Sequence, residues 1–122
     1  MAASTGIVIQ TIKDVTVATF ESRSVIDAQD ISRLGEALFD LVEKRDRRRL
    51  ILDMGKVVHL SSAALSVLTK LRKLIGQVDG SLIICGLSPE IMKVFKVTGL
   101  HKLFEFVEDE KAALDKLGVA MA

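Results

Sequence analysis

The chain has 122 residues, a net charge of +1 and 49% apolar residues, which suffices for one domain with a hydrophobic core. This composition argues against disorder, and the balanced charge gives no general electrostatic reason to bind nucleic acid or a membrane surface. No apolar run is long enough to span a bilayer, and residues 1–5 lack the pattern of a secretory signal. The single cysteine, Cys85, excludes an internal disulfide and favours the reducing cytoplasm.

The first part of the chain predicts a hairpin and then an amphipathic helix. Runs rich in β-branched residues, 7–12 and 15–20, flank a two-residue polar turn. Residues 21–25 are polar, and we expect them to be irregular. Asp27 is predicted to cap a helix that runs through Arg45. The inward-facing stripe of this helix consists of Ile31, Leu34, Leu38, Leu41 and Val42.

A charged run, residues 44–49, connects this helix to the next strand. A basic run of this kind is able to contact phosphate. However, one acid interrupts the run and no aromatic residue accompanies it. Cations at a helix end also offset the negative end of the helix dipole, so we interpret the run as a solvated helix end.

The centre of the chain predicts a buried strand that leads through a turn into a helix. The apolar run 50–54 indicates the strand, and Ser61 and Ser62 open the helix, where a serine hydroxyl is a good N-cap. Backbone donors and the helix dipole favour negative charge at this turn. The apolar stripe of the helix is Ala64, Val67, Leu68, Leu71, Leu74 and Ile75. The opposite face carries Ser66, Thr69, Lys70, Arg72 and Lys73.

The last part of the chain continues the alternation of strands and helices. Ser88 suits an N-cap, Pro89 suits the first helical position, and Gly99 suits a left-handed stop. The predicted elements are strand 81–85, the helix from Ser88 to Gly99, strand 103–107 and helix 109–117. The order ββαβαβαβα predicts an α/β fold with a mixed sheet of about five strands and four helices. We expect one domain over residues 1–122, with a core of about 7–117, and see no repeat or linker.

Catalytic and metal chemistry find little support in the residues. His59, His101 and Cys85 are the soft ligand candidates, and no pair of them has the short spacing of a metal site. His59 lies three residues before Ser62, across the predicted turn, but this spacing gives no reason to expect the geometry of a nucleophilic triad. The glycines are isolated, so no phosphate-binding loop is predicted. We therefore expect no catalytic residue, no metal and no cofactor.

The turn at Ser61 and Ser62 has two interpretations. In the first, one serine caps the helix and the other makes a local hydrogen bond, which is the commoner role of such a pair. In the second, Ser62 is phosphorylated, which adds about −1.5 to −2 charge and three acceptor oxygens. A helix N-terminus tolerates that phosphate, whereas a partner docked on the turn meets a new charge.

Several segments resemble the STAS domain of bacterial anti-sigma-factor antagonists. The segment 52–65, with Ser61-Ser62-Ala63-Ala64-Leu65, corresponds to the family's strand, its Asp-Ser-Ser-Gly-Leu-type turn and the start of its helix. Residues 25–28 are similar to the family's Leu-Asp-Ala entry into the first helix. The segments 82–89, 95–100 and 103–106 follow in the family's order, and the match covers nearly the whole chain.

The resemblance implies a non-catalytic binding protein that is phosphorylated on Ser62. It implies two partners, an anti-sigma factor with serine kinase activity and a serine phosphatase, and no nucleic acid. The partner-binding surface that it implies consists of Asp27, Ser61, Ser62, Ala63 and Ser66. Ser61 stands at the family's acidic position, and Ala63-Ala64 stand at its Ser-Gly, so the resemblance implies phosphorylation less strongly than binding.

Two other functions remain open at this stage. One is a STAS module that is not phosphorylated and acts as a scaffold or subunit in a signalling or transport complex, which the altered turn at residues 61–64 favours. The other is a nucleotide-binding enzyme, which lacks a base, a metal site and a phosphate cradle in this sequence.

Overall fold

The computed structural model describes residues 6–119; residues 1–5 and 120–122, and with them the prediction about a secretory signal, lie outside that range. The strands are β1 (Ile7–Ile12), β2 (Val15–Phe20), β3 (Ser24–Val25), β4 (Arg49–Asp53), β5 (His59–Leu60), β6 (Ser81–Cys85) and β7 (Glu105–Val107). The helices are α1 (Ala28–Glu43), α2 (Ser62–Gln77), α3 (Pro89–Val97) and α4 (Glu110–Lys116), and a short 3₁₀ helix covers Leu100–Lys102.

The main sheet has five strands in the order β1-β2-β4-β6-β7. β1 and β2 form the predicted antiparallel hairpin, and the other neighbours pair in parallel. Ile51, in the central strand, pairs with Val17 on one side and Ile83 on the other. The prediction of an α/β fold with a mixed five-stranded sheet and four helices is confirmed.

Helices cover both faces of this sheet. Leu50 and Leu52 belong to a large core that also contains the buried residues of α1, α2 and α3. Ile51, between them, belongs to a smaller core that contains Ala113 and Leu114 of α4. Because successive side chains of a strand point to opposite faces, α4 lies on the face opposite the other three helices. Strands buried on both faces read as continuous apolar runs, which is why residues 50–54 were recognisable.

Both long helices bury the stripes that the sequence predicts, with small differences. In α1 all five predicted inward residues are buried. In α2, Ala64, Leu68, Leu71 and Ile75 are buried, whereas Val67 and Leu74 are only partly buried. Leu65, which the predicted stripe omits, is buried.

Helix ends follow the predicted caps. The Asp27 carboxylate accepts hydrogen bonds from the backbone N–H groups of Gln29 (2.9 Å) and Asp30 (3.1 Å). The Ser88 hydroxyl caps α3, and Gly99 follows that helix at φ +77°, as expected of a left-handed stop. α1 ends at Glu43, before the predicted Arg45, because the chain reverses through a positive φ of 54° at residue 46.

Three predicted segments differ in the structure. Residues 21–25 are not wholly irregular, since β3 pairs in parallel with β5 to form a second, two-stranded sheet. The last strand begins at Glu105 rather than residue 103, because Leu103 is the C-cap of the 3₁₀ helix and its carbonyl accepts a hydrogen bond from Arg72 Nε (2.7 Å). α4 begins at Glu110, with Asp109 as its N-cap, and ends at Lys116.

The charged connection after α1 makes contacts within the chain. Arg47 Nε donates to Thr16 Oγ1 at 2.6 Å, and Arg49 pairs with Asp14 at 2.7 Å. Arg48 pairs with its neighbour at residue 46. The contacts of Arg47 and Arg49 hold the connection against the start of β2, which favours the structural interpretation of the run over phosphate binding.

Candidate functional site

The turn before α2 is held by a backbone contact to the segment before α1. Leu60 of β5 lies opposite Val25 of β3, and the Ser61 N–H donates to the Val25 carbonyl at 3.1 Å. The chain continues from Val25 directly into Ile26 and Asp27. The small sheet therefore brings the starts of α1 and α2 to the same end of the molecule.

The two serines of this turn have different surroundings. Ser61 is the N-cap of α2, is partly buried, and its hydroxyl accepts a hydrogen bond from the Ala64 N–H at 3.2 Å. Ser62 is the first helical residue and is exposed; its carbonyl accepts a hydrogen bond from the Ser66 hydroxyl at 3.2 Å. Within residues 6–119 the Ser62 hydroxyl itself has no hydrogen-bond partner. One serine is therefore occupied by capping, and the other presents a free hydroxyl to solvent.

The first turn of α2 also differs in charge from those of the other helices. Asp30 in α1, Glu90 in α3 and Glu110 in α4 each place a carboxylate in the first turn. The first turn of α2 has no acidic residue. A carboxylate near a helix N-terminus offsets the partial positive charge of the helix dipole. In α2 that positive end has no such partner on its own helix.

The remaining predicted site residues lie near this turn. Ala63 and Ser66 are exposed on the first turns of α2. Asp27 is also exposed, but its carboxylate is engaged in capping α1. The structure thus places four predicted residues on one helix start and the fifth at the neighbouring helix start. Of these five residues, Asp27, Ser61 and Ser66 use a side-chain oxygen in a hydrogen bond, whereas the Ser62 hydroxyl has no partner within residues 6–119.

Two features of this surface were missed from the sequence. Ile26 is 60% exposed, although it is a large apolar residue beside Asp27. An open groove of about 740 Å³ runs from Ser62 along the outer face of α2, and Thr98 and Leu100 also line it. The α2 residues that line it include Ser66, Lys70, Lys73 and Leu74. We call this feature the α2 groove. The small polar residues followed by cations at helical spacing are a sequence signal for the α2 side of this groove only.

The structure also shows the surroundings of two soft ligand candidates, Cys85 and His59. Burial, followed by the charges of Asp53 and Glu110, raises the pKa of the Cys85 thiol to about 12, so this thiol is protonated at neutral pH. His59 is exposed on β5. Within residues 6–119, no three His, Cys, Asp or Glu side chains form a group that could hold a metal ion. In the same range, no helix has the length and apolar character needed to cross a membrane.

Comparison with known proteins identifies the class of this fold and site. The STAS domain model matches residues 7–113. BtrV of Bordetella bronchiseptica, which is assigned as an anti-sigma factor antagonist, is 32% identical over 91 residues, covering 75% of this chain and 78% of that protein. The chain therefore belongs to the STAS domain family, in its anti-sigma factor antagonist type. Antagonists of this type are regulators and not enzymes, and the same holds for this chain.

Solved structures show the same fold at low sequence identity. A protein of Thermotoga maritima assigned as an anti-sigma factor antagonist superposes with a TM-score of 0.83 at 14% identity, covering 97% of this chain and 99% of that one. The anti-sigma factor antagonist SpoIIAA in its unphosphorylated form superposes with a TM-score of 0.73 at 13% identity, covering 92% and 97%. The phosphorylated form of SpoIIAA from Bacillus gives 0.72 at 15% identity, covering 91% and 98%.

Proposed function

We propose that this chain is a cytoplasmic regulator in a bacterial partner-switching pathway, where it binds an anti-sigma factor that carries serine kinase activity. In this proposal the bound anti-sigma factor releases its sigma factor and transcription changes. The kinase phosphorylates Ser62 and thereby ends binding, and a serine phosphatase restores it. The chain acts as a single domain over residues 1–122 whose core spans about 7–117.

The observation that carries the proposal is the exposed Ser62 hydroxyl at the start of α2. It lies at a helix N-terminus whose first turn has no acidic residue of its own. Backbone N–H groups and the helix dipole stabilise an anion at such a place. A phosphate on Ser62 is therefore compatible with the fold, and the Ser61 cap is undisturbed because it uses a different hydroxyl.

A phosphate here acts on binding through charge. It adds about −1.5 to −2 charge to a surface that includes the small side chain of Ala63 and the exposed apolar side chain of Ile26. A partner that packs on that surface has to desolvate the phosphate, and the free-energy cost of this desolvation favours dissociation. A change of about 3 kcal/mol in the free energy of binding corresponds to about a hundredfold in the dissociation constant. The relative SpoIIAA has the same fold in its phosphorylated and unphosphorylated forms, which supports release without refolding.

The departure at Ser61 favours a second candidate. A kinase that reads an acidic residue before the phosphorylated serine finds a capping hydroxyl here. A STAS module that binds its partners without phosphorylation, as a scaffold or subunit of a signalling or transport complex, fits this turn as well. The two candidates differ in whether Ser62 carries phosphate.

The test uses the purified chain and each anti-sigma factor kinase encoded in the same genome. We expect Ser62→Asp to lose about a hundredfold in affinity and Ser62→Ala to keep it. Thr11→Asp, which adds the same charge to an exposed hydroxyl on the edge strand β1, serves as the matched control and keeps affinity. With ATP, mass spectrometry is expected to find phosphate on Ser62. Equal affinity of both Ser62 variants, with no phosphate on Ser62, refutes the phosphorylation switch and favours the scaffold.

A further inference from the structure

The α2 groove is continuous with the proposed phosphorylation site. Ser62, Ser66, Thr69, Lys73 and Gln77 recur at spacings of three and four residues, so they form one face of α2 that lines the groove from end to end. Sixteen residues of helix at about 1.5 Å per residue make this face about 24 Å long. The groove is therefore long enough to hold an extended or helical segment of another protein, with Ser62 at one end.

The charges along the groove have one sign. Lys70 and Lys73 line it, and no acidic residue is among the described residues that do so. Neither lysine forms an ion pair within residues 6–119, although Lys44, Lys56 and Lys116 each pair with a carboxylate of this chain. The Lys70 ammonium lies 4.7 Å from the centre of the Phe39 ring of α1, which is a cation–π contact and leaves the ammonium without a carboxylate partner among the described residues.

The rest of the groove is largely apolar. Leu65, Leu74 and Leu100 contribute to its lining, beside the small hydroxyl residues Ser66 and Thr69. The described groove residues include no aromatic side chain on which a nucleic acid base would stack. Unpaired cations beside an apolar floor are complementary to a segment with carboxylates on one side and apolar side chains on the other.

We propose that the α2 groove binds an acidic amphipathic segment of the anti-sigma factor, and that Ser62 is placed to control it. This inference rests on the proposed function. The partner's carboxylates pair with Lys70 and Lys73, and its apolar side chains cover Leu74 and Leu100. Phosphate on Ser62 then stands at the groove entrance, where it repels the acidic segment. The same charge thus acts through repulsion as well as desolvation.

Charge reversal in the groove tests this inference. We expect Lys70→Glu together with Lys73→Glu to lower the affinity for the purified anti-sigma factor by more than about tenfold at low salt, with a smaller loss at high salt. Lys73→Arg keeps the charge and is expected to keep the affinity. Lys111→Glu is the matched control, because Lys111 is exposed on α4, on the opposite face of the sheet, and is expected to change nothing. Ser66→Arg, which fills the groove while adding positive charge, is expected to block binding.

The outcomes separate the two proposals. If Ser62→Asp abolishes binding while the double lysine variant binds like wild type, the proposed function stands and the groove inference is wrong. If no anti-sigma factor kinase of the genome binds the wild-type chain, both proposals are wrong. If the chain alone sediments as a dimer that charge reversal disrupts, the groove holds a second copy of this chain, and the acidic partner segment is ruled out.

Discussion

α2 and α3 begin in the same way but present different surfaces. Each starts with a serine whose hydroxyl accepts a hydrogen bond from the backbone three residues on, at 3.2 Å for Ser61 and 3.3 Å for Ser88. After Ser88 the chain continues with Pro89, which needs no N–H partner, and Glu90, which offsets the dipole. After Ser61 it continues with an exposed hydroxyl and no acid.

The difference separates what capping does from what charge does. Each cap provides a hydrogen-bond acceptor for one backbone N–H that would otherwise be unpaired at the helix start. Only the start of α3 also has its dipole offset by a carboxylate of its first turn. The start of α2 has the capping residue in place and an uncompensated positive end beside a free hydroxyl. We expect a regulatory phosphate at a helix start like that of α2, which is capped but has no acid in its first turn.

The largest effects concern the anchoring of the two helices. Leu71 of α2 and Phe95 of α3 are fully buried in the large core. We expect Leu71→Ala and Phe95→Ala each to lower the free energy of unfolding by about 2–5 kcal/mol, because each leaves a cavity. Urea denaturation with a constant m-value is the measurement. The comparison of α2 with α3 assumes that both helices are anchored equally in the core. A negligible change in the free energy of unfolding for Leu71→Ala would contradict that assumption.

The two caps are expected to have equal, intermediate effects. Ser61→Ala and Ser88→Ala each remove one capping acceptor and are expected to lower the free energy of unfolding by about 1 kcal/mol. Ser62→Ala removes a hydroxyl without a partner among the described residues and is expected to change stability by less than about 0.5 kcal/mol. A loss at Ser62 as large as at Ser61 would contradict the assignment of Ser61 as the cap.

Much of this fold follows from local patterns in the sequence. The hairpin, the central strand, the helix stripes and the three caps at Asp27, Ser61 and Ser88 depend on residues within a few positions of one another. Such patterns carry their own physical cause, namely periodic burial and unpaired backbone groups. The limits of the last strand were harder, because Leu103 is held by a hydrogen bond from Arg72 of another helix.

The site was predictable only in part, because some of its contacts join segments that are distant in the sequence. The turn at Ser61 and Ser62 is a local pattern, and its position was found. The small sheet of β3 and β5 consists of two residues per strand, and such short segments have no periodicity to detect. Its pairing leaves Ile26 exposed beside the turn. The α2 groove depends on the segment after α3 lying across α2, which no single stretch of sequence encodes.

A smaller effect tests the dipole directly. We expect Ser62→Asp to raise the free energy of unfolding by about 0.5 kcal/mol, because it supplies the carboxylate that the first turn of α2 lacks. Glu90→Gln is expected to lower it by a similar amount in α3, by removing the carboxylate there. Both changes are expected to shrink in high salt. Thermal unfolding at low and high salt measures them, and destabilisation by Ser62→Asp would argue against a phosphate at this position.

The smallest effect is expected in α4, where the first-turn acid, Glu110, is partly buried and close to the negative charge of Asp53. Burial, then the negative charge of Asp53 and its hydrogen bond, raise the pKa of Glu110. A carboxyl whose pKa is raised by folding contributes stability at low pH, and that contribution is lost as pH rises from its unfolded value through its folded one. Glu110→Gln is therefore expected to gain stability relative to wild type as pH rises above about 4. Urea denaturation at a series of pH values measures this, and Asp53→Asn is expected to reduce the gain. If Glu110→Gln instead loses stability relative to wild type as pH rises, the ionised acid of α4 stabilises its helix dipole as Glu90 does in α3, and α2 is the sole exception among the four described helix starts. A difference that is flat with pH would contradict the raised pKa.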